Sequence, residues 1–103
     1  GFASVPKTVT AKHAVEGMSK AIAAELAPQN IRSNCIGPTF IETPMTKPMF
    51  ENPEFKEFVM DRILMGRLGK ISDVTGSVIF LASPASELIT GASLTIDGGW
   101  TVV

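Results

Sequence analysis

From Thr10 onward the apolar positions step by three and four. Val15, Met18, Ile22 and Leu26 make one stripe of a helix, and Ala14, Gly17, Ala21 and Ala24 make a second beside it, built only of small residues. Two stripes predict a helix with neighbours on two sides, since small side chains let another backbone come close. Glu16 and Lys20 add an i,i+4 pair in the favourable order. Before it, Gly1 to Val9 has no period and reads as loop. Pro28 stops the helix, and Gln29-Asn30 turn the chain. The period then drops to two: Ile31, Ser33 and Cys35 fall on one side, Arg32, Asn34 and Ile36 on the other. That is a strand. Gly37-Pro38 breaks it, because Pro cannot donate to a ladder and fixes its own φ.

After the break, Thr39 to Pro44 is a short hydroxyl-bearing segment pinned between two prolines. Lys47 to Asn52 looks mobile. Asn52 followed by Pro53 and Glu54 is a helix start, a capping residue and then Pro at the first helical position. Phe55, Phe58, Val59 and Ile63 give that helix a narrow apolar face opposite Lys56, Glu57 and Asp61, and Gly66 and Gly69 bracket its exit. Ser72-Asp73 caps a further helix, in which Val74, Val78 and Leu81 form a stripe that Ile79 and Phe80 broaden. This helix is predicted to be largely buried, and Pro84 ends it. Ser86 to Gly91 reads as a turn, Leu94-Thr95-Ile96 as a short strand, and Asp97-Gly98-Gly99 as its stop.

The order is helix–strand–helix–helix–strand, an α/β pattern in which helices between strands imply parallel pairing. Two strands alone make a poor sheet, because each needs neighbours for its edges. The pattern predicts a partial domain. In an open α/β sheet, ligands bind outside the carboxyl ends of the strands. The loop after Ile36 is therefore either a ligand edge or a plain surface loop.

Composition narrows the chemistry. Nine basic and ten acidic residues among 103 give a net charge of −1, which offers nothing to nucleic acid or an anionic membrane. Cys35 is the only cysteine, so no internal disulfide or multi-cysteine metal framework is available. His13 is the only histidine, and no metal site is expected. No signal peptide is evident, nor an apolar run that would span a bilayer, which points to a cytoplasmic protein with no membrane partner. The aromatic residues are six Phe and Trp100, with no Tyr at all.

The residues Thr10-Ala11-Lys12-His13-Ala14-Val15-Glu16-Gly17-Met18-Ser19-Lys20, Glu25-Leu26-Ala27 and Ile31-Arg32-Ser33-Asn34 resemble the short-chain dehydrogenase/reductase family. So do Pro38 to Thr43, Arg67-Leu68-Gly69, Phe80-Leu81-Ala82-Ser83, and Gly91 with Asp97-Gly98-Gly99. The match runs in order over almost the whole chain, yet covers only the C-terminal half of that family's Rossmann-like, doubly wound domain. The glycine-rich turn, the Asn-Ala-Gly stretch and the catalytic Ser strand would precede Gly1.

The resemblance implies an oxidoreductase that passes a hydride between NAD or NADP and a ketone or secondary alcohol. It also implies a homo-oligomer, dimer or tetramer. In the family a Tyr-x-x-x-Lys pair opens this first helix, with the phenol as acid or base and the Lys ammonium lowering its pKa and holding the nicotinamide ribose. Lys12 stands at the Lys position and Thr8 at the Tyr position. A threonine hydroxyl is far less acidic and reaches less far, so a catalytically silent assembly subunit is the alternative. Read alone, Lys12 is a solvated helix lysine; read with the family, it faces the cofactor. Pro38 matches the family's Pro, Thr39 replaces its Gly, Ile41 supplies a backbone group to the carboxamide, and Thr43 matches its Thr. Phe40 and Met45 either flank the nicotinamide or substrate or are ordinary packing. Residues 47–66 fall where the family has its variable substrate lid. Cys35 is expected in the core, and His13 at the surface or an interface. The 103 residues by themselves are expected neither to fold stably nor to bind NAD(P).

Overall fold

The computed structural model describes residues 5–102, with side chains from residue 14 to residue 102. Thr8, Lys12 and His13 thus lie outside the residues whose side chains are described. Helix α1 runs over Val5–Leu26, strand β1 over Cys35–Pro38, helix α2 over Lys47–Phe50, α3 over Pro53–Arg62, α4 over Ile71–Ala82 and strand β2 over Ser93–Ile96. Short 3₁₀ turns at Ala27–Gln29, Pro84–Ser86 and Trp100–Val102 join or end these elements. Helix α1 starts at Val5, earlier than the period suggests, and Pro6 is tolerated because it falls in the first turn.

β1 and β2 pair in parallel, Cys35 opposite Ser93 through Pro38 opposite Ile96. The strand begins four residues later than the alternation predicts and runs through Gly37-Pro38 rather than stopping there. Side chains account for the late start. Over residues 31–34 the contacts to the second strand's approach are mixed: Ser33 N–H donates to Thr90 Oγ1 at 3.1 Å, and Asn34 takes the Ala92 N–H and gives its amide to Ile89 O. Period explains the Pro. Cys35 and Thr39 donate their N–H groups to Ala92 and Ile96, so the nitrogens of residues 36 and 38 face the other edge, and Pro38 has no N–H to offer there. A proline there costs no rung of the ladder.

The predicted alternation sorts the layers correctly. On one side Ser33 Oγ meets Ser19 Oγ of α1 at 2.9 Å and the Cys35 thiol lies 3.8 Å from Val15 O. On the other, Arg32 donates to Leu81 O of α4 at 2.7 Å and to Ile89 O at 3.2 Å. Helix, two-stranded parallel sheet and helix therefore stack in three layers. Cys35 is half-buried rather than fully in the core.

Burial is sparse. Ala23, Val59 and Ile63 are the buried hydrophobic residues among those described. The accessible surface is 7444 Å², where a folded chain of 10.9 kDa exposes about 5,600 Å². The excess lies partly on the helices. In α1 the Ser19–Ala23 face packs on the sheet, while Val15, Met18 and the small-residue stripe stay exposed. In α4 no residue is buried, and Val78, Ile79 and Phe80 face outward, against the expectation of a largely buried helix. Val74 and Leu81 are half-buried. An apolar stripe shows that a helix has something to cover, not that this chain covers it.

α3 is the best-anchored helix. Asn52 Oδ1 accepts the Glu54 and Phe55 N–H groups at 3.0 and 3.2 Å, the cap that Asn-Pro-Glu predicts. Val59 is 0 % exposed, and Ile63 meets the turn after β2, where a Cβ at Gly98 would stand 2.7 Å from Ile63 Cγ2. α4 begins at Ile71, one residue ahead of the predicted cap. Asp73 works from inside the first turn, taking the Lys70 N–H at 2.7 Å.

Candidate functional site

The loop after β1 is built by handing the chain from one partner to another. Thr39 N–H still donates to Ile96 O at 3.0 Å, the last rung shared with β2. Phe40 then takes φ +56, the left-handed region that bulky residues avoid. Ile41 emerges as a parallel bridge to Gly69: Phe40 O accepts the Gly69 N–H at 3.0 Å and Gly69 O accepts the Glu42 N–H at 2.8 Å. The conformational demand falls on Phe40, not on Thr39, which has no positive φ.

This pairing decides what Ile41 has left. Its carbonyl accepts the Thr46 hydroxyl at 2.7 Å. Its N–H donates to no described residue. Thr43 and Thr46 lock the other end of the loop: Thr43 N–H donates to Thr46 Oγ1 at 2.9 Å, and Thr46 N–H donates to Thr43 Oγ1 at 3.2 Å. With the Thr46 proton on Ile41 O, the Thr43 hydroxyl keeps its own proton for Thr46 Oγ1, 3.1 Å away, or for a ligand.

Phe40 leads into an aromatic cluster. Its ring centroid lies 4.5 Å from Trp100 and 6.5 Å from Phe50, Phe50 lies 5.6 Å from Phe55, and Phe58 lies 6.4 Å from Trp100. The Arg62 guanidinium sits 4.3 Å over the Phe58 ring and 6.0 Å from that of Trp100. Trp100 is placed by a tight turn in which the Asp97 carboxylate accepts the Gly99 and Thr101 N–H groups and the Thr101 hydroxyl. Phe40, α2, α3 and the chain beyond β2 thus share one aromatic contact surface.

The structure brings together Ile41 and Thr43 through Thr46, and Phe40 with Phe50 of α2 and with Trp100, through which it is linked to the rings of α3. Met45 stands apart at 88 % exposed, and Pro38 is exposed at the end of β1. A cleft of about 380 Å³ opens between Thr39, Met65, Arg67, Thr95 and Gly98, and of the candidate loop residues Thr39 alone lines it. At its rim Arg67 and Asp73 form a bidentate pair at 2.9 and 3.1 Å. The guanidinium, with the Lys70 N–H, holds the Asp73 carboxyl down at about 2. Sequence reasoning missed Trp100, Thr46 and Arg62. The Thr43-x-x-Thr46 spacing is a capping signal and could have been read; the ring contacts of Trp100 are long-range and could not. Among the described residues no group of His, Cys, Asp or Glu could hold a metal ion, and no helix is long and apolar enough to cross a membrane.

Comparison with known proteins places this geometry. The family model described as enoyl-(acyl carrier protein) reductase matches residues 3–101. The chain is 42% identical over 96 residues to 2-dehydro-3-deoxy-D-gluconate 5-dehydrogenase of Bacillus subtilis, covering 93% of the chain and 38% of that protein. It is 43% identical over 94 residues to galactitol 2-dehydrogenase (L-tagatose-forming) of Cereibacter sphaeroides, covering 91% and 37%. Among solved structures it superposes on a proposed 2-deoxy-d-gluconate 3-dehydrogenase of Agrobacterium tumefaciens with bound NADP. The TM-score is 0.87 at 37% identity, over 91% of the chain and 38% of the other. On 4-hydroxyisoleucine dehydrogenase complexed with NADH the TM-score is 0.88 at 35% identity, over 92% and 39%. The chain therefore spans less than two fifths of the length of these relatives. With the family model matched from residue 3 to residue 101 and a Rossmann-type α/β arrangement shared with solved members, the chain belongs to the short-chain dehydrogenase/reductase family.

Proposed function

We propose that the protein carrying these residues is an NAD(P)-dependent oxidoreductase acting on a ketone or secondary alcohol. The observation that carries this reading is the Ile41 N–H, which has no partner among the described residues in a loop tied down on both sides of it. A nicotinamide carboxamide presents a carbonyl that needs such a donor. The Thr43 hydroxyl can give its proton to the carboxamide or to a phosphate oxygen. Pro38 and Thr39 set the loop's departure from the sheet, and Phe40 and Met45 would flank the nicotinamide or the substrate. Lys12 would hold the nicotinamide ribose. The coenzyme supplies or takes the hydride.

The NADP and NADH bound to the two solved relatives support the choice of coenzyme. The names of the two curated relatives make sugar acids and polyols the first substrates to try. Residues 47–66 act as the substrate lid in this reading, and the outward apolar faces of α1 and α4 suit a cytoplasmic homodimer or homotetramer. The 103 residues by themselves are inactive, since so much of their surface lies uncovered.

A second reading follows from Thr8, which stands where a phenol is needed to move the proton. In it the protein binds coenzyme and assembles but turns nothing over. The test is coenzyme binding and NAD(P)H consumption by the full-length protein, with and without Thr8→Tyr. The oxidoreductase reading expects binding in both and measurable turnover by the Thr8 protein, raised by about 100-fold or more in Thr8→Tyr. Binding without turnover until Tyr is introduced would establish the silent subunit. Absence of binding in both proteins would end both readings.

A further inference from the structure

We infer that Trp100 is a positioning residue for the coenzyme loop, holding Phe40 in its left-handed turn and joining that loop to the lid helix α3. The inference rests on the oxidoreductase reading above. Phe40 is the residue at which the chain leaves the β2 ladder and crosses to Gly69, and it does so at φ +56. An aromatic residue adopts that conformation at a cost, and the cost must be met by contacts around it. The closest ring contact of Phe40 is with Trp100, 4.5 Å between centroids, against 6.5 Å to Phe50.

The other side of the indole explains the link to the lid. Phe58 of α3 meets Trp100 edge-on at 6.4 Å, and Arg62, one turn further along, lies over Phe58 and near the indole. The indole itself is carried by the Asp97 turn, in which the Trp100 N–H donates to Asp97 O at 3.2 Å and the Asp97 carboxylate accepts from Gly99 and Thr101. Trp100 is thus held by its own turn and has ring contacts with both the loop, at Phe40, and the lid, at Phe58. Nothing here makes it a catalytic residue. It acts through Phe40, whose conformation determines where the Ile41 N–H, without a partner among the described residues, points.

The experiment measures NADH and NADPH affinity, KM and kcat in the full-length protein and in Trp100→Ala, Trp100→Leu and Trp100→Phe. Loss of two ring contacts of ordinary strength corresponds to roughly tenfold. Trp100→Ala and Trp100→Leu are expected to weaken coenzyme binding by about that factor and to raise the coenzyme KM more than they lower kcat. Trp100→Phe keeps a ring and should stay within about threefold of the parent. Should Trp100→Ala fail to fold, the Leu variant and a Phe40→Gly background carry the test. Glycine takes a positive φ freely, so in that background Trp100→Leu should change affinity by less than about twofold. Equal coenzyme affinity in parent and Trp100→Leu, with only the melting temperature lowered, would overturn the inference and leave the oxidoreductase reading standing. A parent protein that binds neither coenzyme would overturn both.

Discussion

Gly69 and Ile41 meet as a one-residue parallel bridge, so closely that a Cβ on Gly69 would run into the Ile41 side chain. The contact fixes the loop after β1 against the exit of α3, and it works because position 69 has no side chain. Gly69→Ala must push Ile41 into another rotamer or open the bridge. Because the atom met is the outer methyl of Ile41, which can swing aside, the response is expected to lower stability by about 1 kcal/mol. The denaturation midpoint of the full-length Gly69→Ala protein checks this. An unchanged midpoint would mean that the bridge is loosely packed.

Arg67 and Asp73 give a pH dependence whose direction is set by the ion pair. The folded-state carboxyl of Asp73 is held at about 2, below the usual value near 3.9. Its contribution is therefore fully present above about pH 4 and is lost as the pH falls through about 2. Both side chains are substantially exposed, so the effect is small and weakens with salt. The difference in melting temperature between the parent and Asp73→Asn should be largest above pH 4 in low salt and vanish towards pH 2. A difference that grew on acidification would contradict the pairing.

The alternation of Ile31 to Ile36 was enough to separate Ser33 and Cys35 from Arg32, because a strand's period of two puts neighbours on opposite faces; that the first side meets α1 and the second α4 came from the structure. The Asn52 cap was legible for a similar reason: its partners are two and three residues away. What stayed hidden depends on distant chain. The stripes of α1 and α4 announce apolar faces, but periodicity says nothing about what lies against them, and in this chain they point outward. The start of β1 at Cys35 follows from the side chains of Asn34 and Thr90, the latter taking the Ser33 N–H, standing in for ladder bonds. No local rule predicts Phe40 rather than Thr39 at positive φ, since the cause is the switch of partner from Ile96 to Gly69. At the candidate site the sequence pointed to Pro38, Thr39, Ile41 and Thr43, and the geometry added Thr46 and Trp100, whose parts come from capping and from a ring contact sixty positions from Phe40.

The most direct test of the coenzyme-loop assignment is the amide resonance of Ile41 in the full-length protein as NADH or NADPH is added. The account predicts a downfield shift of that N–H and slower exchange with solvent once coenzyme is bound, as a new hydrogen bond requires. Coenzyme binding that leaves the Ile41 amide unmoved, while other resonances shift, would contradict it.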